Sequence, residues 1–220
     1  MKKLTYLTLT ATLLLLTACN SEKSLKKDEN LSNEGNQTVS ENIVNTNGIT
    51  QTYLESLANQ YLNELKIFNT DAIIEMTYPK LFNVINPTHF RDYISVMTTS
   101  KDIMVESYDT SIQHIDEITT FSNGTQFSQV NYTSIAKILF INPNLYNTEK
   151  SMNYLYDVLI HKYGRENINI NINERSVQIT KAEKLLMIKE QNQEWKFLGD
   201  NKEYRRLYPQ ILPPEILNMI

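Results

Sequence analysis

The spacing of the apolar residues changes once along this chain, at Ser100, and that change limits the fold more than any other feature. Before it, Tyr53, Leu54, Leu57, Ala58, Tyr61, Leu62, Leu65 and Phe68 recur at helical spacing, and Phe90, Tyr93, Ile94 and Met97 do so again. After it, Ile103, Val105 and Ser107 alternate with Met104, Glu106 and Tyr108. A period near 3.6 marks an amphipathic helix, and a period of 2 marks a strand with one buried face. Helices followed by strands predict an α+β domain, with N-terminal helices packed on a strongly curved antiparallel sheet.

Thr52 to Glu55 has the form of a capping box that opens the first helix. A second helix is expected from Asn69 or Thr70, with Ile73, Ile74, Thr77, Leu81 and Phe82 on one face and a kink at Pro79. Asn86-Pro87, cap and first-turn proline in order, opens a third. Strands are expected over 103–108, 111–119 and 126–140, the last long enough to require curvature or a bulge. Between the last two, Ser122-Asn123-Gly124-Thr125 predicts a tight Asn-Gly hairpin.

A further helix over 148–163 interrupts the strands, with Met152, Leu155, Tyr156, Leu159, Ile160 and Tyr163 as its stripe and Gly164 to end it. Strands resume over 168–172, 176–181, 185–190 and 194–199. Trp195 and Phe197, two apart, are expected to point together into the helix-covered side. From about residue 203 a tail with Pro209, Pro213 and Pro214 follows, with Ile211, Leu212, Ile216 and Leu217 available to pin it.

Residues 1–18 have the layout of a removable secretory signal: Lys2 and Lys3, an apolar run from Leu4 to Leu16, and the small-residue site Leu16-Thr17-Ala18-Cys19. The run is too short for a stable span, which takes about 20 apolar residues. Cys19 is the only cysteine, so no intramolecular disulfide can form and the fold depends on its packed core. Removing residues 1–18 takes away two lysines and no acid, which moves the formal charge from −4 to −6. An acidic chain disfavours nucleic acid and anionic lipid as partners. Residues 20–48 carry five aliphatic residues and no aromatic, the composition of a disordered tether. Residues 49–220 remain for a single domain.

Leu16-Thr17-Ala18-Cys19 resembles the lipobox of bacterial lipoproteins, which implies a diacylated Cys19 that anchors the chain to the cell envelope, the outer membrane above the inner. Two or three acyl chains on one residue give lasting attachment where one does not. Lys26-Lys27-Asp28-Glu29 resembles the charged signals that send some Bacteroidetes lipoproteins to the surface, although ordinary solvated linker charges are an equal reading. Three helices followed by a curved sheet ending in Trp195-Lys196-Phe197 resemble the NTF2-like superfamily, also called SnoaL-like or cystatin-like. Within that likeness, the run from Asp71 to Phe82 is similar to a segment of small Bacteroidetes proteins. The resemblance covers about residues 50 to 200, and the helix over 148–163 departs from its minimal pattern.

The resemblance implies a cone-shaped sheet with a pocket at its wide end, in some members lined by an acid–base residue. The candidates here are few. His89 and Asp92 are three apart near the start of a helix; His114 and Asp116 share one strand face; Asp71 and Glu75 share a helical turn. Each has a bland alternative: surface pairs for the histidines, helix-dipole complementation for Asp71 and for His161. With three histidines and one cysteine, no metal site or cofactor is expected. The thirteen tyrosines suit an aromatic pocket, yet Tyr53, Tyr61, Tyr93, Tyr156 and Tyr163 fall on expected core stripes. The expected function is a non-catalytic envelope lipoprotein that binds a small ligand or a protein partner. The alternatives are an isomerase-, dehydratase- or hydrolase-type enzyme using a pocket histidine or carboxylate, and a homodimer formed through the outer face of the sheet.

Overall fold

A computed structural model describes residues 46–201 and 205–220. The signal segment, Cys19 and residues 20–45 of the expected tether lie outside the described residues. Four longer helices, α1 (Thr46–Lys66), α2 (Thr70–Met76), α3 (Pro87–Thr99) and α4 (Glu149–Tyr163), accompany a six-stranded antiparallel sheet. Its strands are β1 (Ile103–Ile115), β2 (Thr119–Thr120), β3 (Gln126–Phe140), β4 (Ile168–Asn171), β5 (Ser176–Lys189) and β6 (Lys196–Gly199). The protein is α+β, as the change of period requires. The sheet is open: β3 and β5 form its middle, β1 and β2 lie along β3, and β4 and β6 share the far side of β5.

The helix starts follow local chemistry where a good cap exists. Asn86 accepts a 2.8 Å bond from the Thr88 amide with Pro87 in the first turn, and Thr148 and Ser151 form a reciprocal capping box. α1 instead begins at Thr46, ahead of the Thr52 box, and its expected stripe is trimmed because Tyr53 is exposed. The expected second helix is also corrected. It stops at Met76; Thr77 turns extended and bridges Phe197, and Pro79–Asn83 forms a separate 3-10 turn. Proline lacks the amide that would have carried the helix on, and the bridge to Phe197 uses the freed backbone.

Three strand expectations change for related reasons. Residues 103–115 are one strand, not two, since shifts of register between Val105 and Ser107 and between Ile112 and His114 absorb the irregular alternation as bulges. The Asn-Gly turn is a three-residue loop: Phe121 donates to Thr125, Gly124 donates to Phe121, and only Gly124 takes a positive φ, +80°. That is the form built from a type I turn and a left-handed glycine. Residues 176–189 are a single strand, paired with β3 along its whole length.

β5 organises the interior. On its inner face Val177 and Ile179 join the cluster under α4, with Met152, Leu155, Leu159 and Phe140. Leu185 and Met187 join the cluster under α1, α2 and α3, with Leu54, Leu62, Ile73 and Ile94. Trp195 and Phe197 lie in that same cluster, Phe197 stacked on Tyr61 with ring centroids 4.7 Å apart, so the two aromatic residues face the helices as their spacing predicts. The opposite face of β5, Leu186 and Ile188, is covered by the tail. Two short helices, α5 (Tyr208–Ile211) and α6 (Pro214–Leu217), bury Tyr208, Ile211, Leu212 and Ile216 against it.

Candidate functional site

Between the two inner-face clusters β5 places Lys181 and Glu183, both pointing inward because residues two apart on a strand share a face. Each is only 7% exposed. A cavity of about 480 Å³ opens beside Glu183, bounded by α1, α2 and α3, by the sheet, and beyond the end of β6 by the start of the tail. Its walls are largely apolar and aromatic. Leu65, Ile73, Phe90, Ile94 and Met97 come from the helices, Tyr108, Tyr132, Leu185 and Phe197 from the sheet, and Leu207, Tyr208 and Ile211 from the tail.

The polar groups in this wall are few, and one set of them surrounds Glu183. Burial pushes the Glu183 carboxyl above the usual carboxylate range, against Lys181, Ser134, Tyr132 and Tyr108, which favour its charged form. Lys181 lies 3.9 Å from its Oε1, farther than a hydrogen bond. Burial lowers the Lys181 ammonium to about 8, with Glu183 opposing that shift and Lys162 adding to it. Glu183 Oε2 has no hydrogen-bond partner. Burial also raises Tyr61, Tyr108 and Tyr132, so all three phenols stay protonated as hydrogen-bond donors. Tyr61 keeps a 3.5 Å contact with Thr77 Oγ1, whose hydroxyl is in turn 2.7 Å from the Ile73 carbonyl.

A second buried carboxylate, Asp200, stands where the cavity meets the tail. It is occupied: Arg205 Nε lies 3.0 Å from its Oδ1 and Arg205 Nη2 2.5 Å from its Oδ2. The Tyr208 hydroxyl, 3.1 Å from the Gly199 carbonyl, also receives the Asn201 amide at 2.7 Å. These bonds fasten the tail to the end of β6, and Asp200 serves the fold.

The residues singled out by sequence do not gather here. His89 reaches the cavity lining from an exposed position on α3, while Asp92 is exposed and absent from the lining. Among the described residues no hydrogen bond or ion pair joins the two. His114 and Asp116 do meet, 3.2 Å apart, but on the outside, with side chains 68% and 45% exposed. Asp71 pairs with Arg91 on the surface and Glu75 is exposed, so they form no carboxylate pair. His161 is exposed in the last turn of α4, where a cation suits the dipole. No cluster of three or more metal-ligating side chains occurs among the described residues.

Lys181 and Glu183 were legible as a signal. Continuing the alternation of Val177, Ile179, Leu185 and Met187 puts two charges on an apolar face. The pattern breaks at Lys181-Ala182-Glu183-Lys184, and reading that break as a gap between two strands hides the site. No helix among the described residues is long and apolar enough to cross a membrane. Compared with family models, curated proteins and solved structures, the chain matches none.

Proposed function

We propose that the protein is an envelope lipoprotein, anchored by acyl chains on Cys19, whose folded domain takes a small apolar molecule into the cavity beside Glu183. The cavity carries this reading. Its volume of about 480 Å³ falls in the range of about 300–1,000 Å³ that small-molecule sites occupy, and apolar walls with a few convergent polar groups are their usual composition. The lipobox and the NTF2-like resemblance of the helices and sheet support the address and the pocket respectively. An apolar guest there displaces water from aromatic walls, the main source of its affinity.

The test is uptake of the neutral fluorescent dye N-phenyl-naphthylamine by the purified full chain. Leu65, half-buried on the cavity wall, gives the control: Leu65→Trp narrows the space and weakens uptake while circular dichroism stays unchanged. Equal dye binding by both proteins removes the cavity from the function. For the anchor, mass spectrometry of the protein from its membrane finds acyl chains on Cys19, and Cys19→Ser abolishes them.

One observation favours an acid–base enzyme as a second reading. A buried carboxyl raised above its usual range, beside neutral phenols, is suited to holding and passing a proton. On this reading Glu183→Gln keeps binding and loses turnover of any substrate found.

A further inference from the structure

We propose that the guest enters the cavity over Gly199, and that the missing side chain at this position sets how bulky a guest can pass. The proposal rests on the cavity-binding reading above and names the residue that controls access to that site. Gly199 closes β6 directly opposite Leu185, and residues opposite each other in an antiparallel pair share a face. Leu185 belongs to the core cluster under the helices, so position 199 looks onto the cavity side of the sheet. The alternation Trp195, Phe197, Gly199 therefore ends in a bare residue where a third large side chain would have filled the space.

Nothing in the fold calls for glycine at this point. Gly124 and Gly164 hold positive φ angles of +80° and +86°, which explains glycine at both, whereas Gly199 has an ordinary strand backbone that any residue adopts. No neighbour crowds it either, because a Cβ at this position would meet no other atom within 4 Å. A glycine in a strand that neither backbone nor packing requires marks a place where another molecule comes close. Solvent reaches the same spot: Gly199 is exposed while Leu198 and Asp200 on either side are buried. Across the opening stands Tyr208, its hydroxyl 3.1 Å from the Gly199 carbonyl, and it lines the cavity with Asn201 and Leu207. The opening is thus framed by the end of β6 and the start of the tail.

The experiment is stopped-flow fluorescence of the purified full chain with N-phenyl-naphthylamine and with 1-naphthylamine, the same fluorophore without its phenyl ring. Gly199→Ala, Gly199→Val and Gly199→Phe slow entry of the larger dye in that order, the last by about tenfold or more, since an obstruction at the opening raises the barrier to passage. Release slows in the same proportion, so the equilibrium affinity changes far less than either rate, and 1-naphthylamine is slowed less than the larger dye. Leu65→Trp, on the wall, instead weakens binding at equilibrium. If Gly199→Phe does not fold, Gly199→Val decides, because a β-branched residue suits a strand. Unchanged rates in the variants, or a loss of affinity with unchanged entry, overturn the assignment of the opening and leave the cavity reading standing. A wild-type chain that takes up neither dye ends both.

Discussion

The two ends of the inner sheet face are built from the same strands yet end differently. At one end α4 lies flush on Ile103, Ile138, Phe140, Val177 and Ile179, with Met152 and Leu155 filling the space between. At the other end three helices and the tail surround the sheet and leave a cavity of about 480 Å³. The strands do not cause the difference, because β3 and β5 run unbroken through both ends. The covering does. A single helix with one stripe settles into a close fit, whereas α1, α2 and α3 together leave space between their apolar faces and the sheet. Lys181 and Glu183 sit buried on the boundary and belong to neither cluster.

The largest test of this contrast strikes the boundary. Lys181→Met leaves Glu183 without its balancing charge and costs about 3–5 kcal/mol at neutral to alkaline pH, as loss of one partner of a buried pair does. The double variant Lys181→Met, Glu183→Leu recovers much of that loss. Denaturant unfolding of the two variants and the wild type measures both effects. A Lys181→Met protein as stable as the wild type shows that the pair does not hold the two ends together.

A pair of truncations compares the ends directly. Leu155→Ala, in the filled end, costs about 2–5 kcal/mol because it creates a void the close packing cannot collapse. Phe90→Ala, on a half-buried residue that already borders open space, costs about half as much or less. Dye uptake reverses the order, changing with Phe90 and not with Leu155. Equal costs would mean the cavity wall is packed as tightly as the α4 end.

The smallest effect is a dependence on pH. Burial raises Glu183 from its ordinary value of 4.5. A raised value contributes stability that is fully present below that ordinary value and is lost as pH rises through the folded-state value. Glu183→Gln lacks this loss, so its stability relative to the wild type increases as pH rises above 4.5. Below about 8 Lys181 is charged in both folded and unfolded chains and adds no slope of its own. Thermal midpoints of the two proteins across that interval check the sign, and parallel curves would place the Glu183 carboxyl at its ordinary value.

Much of the architecture was readable because it is local. Asn86-Pro87 and Thr148 start helices by bonds within three residues, and Trp195, just ahead of β6 although a strand over 194–199 is expected, joins Phe197 in one cluster as their spacing predicts. The errors lie where a distant partner decides. Thr77 leaves its helix to bridge Phe197, and Val105 and Ile112 adjust the register of β1 against β3. The site belongs to the same class. His89, Asp92, His114 and Asp116 stand out as residue types, but types do not reveal which side chains converge, and only His89 reaches the cavity.

By itself the sequence determined the order of helices and strands, the apolar face of each, and the reliance on a packed core in a chain with one cysteine. These depend on periodicity and on chemistry within a turn or two. Only the tertiary structure decided that 176–189 is one strand with two charges facing inward, that Tyr108 and Tyr132 stand beside Glu183, and that the tail seals the other face. The physical reason is that a carboxylate's environment is set largely by neighbours on other strands, Tyr108, Tyr132 and Ser134 here, which only the pairing of β1, β3 and β5 brings to Glu183.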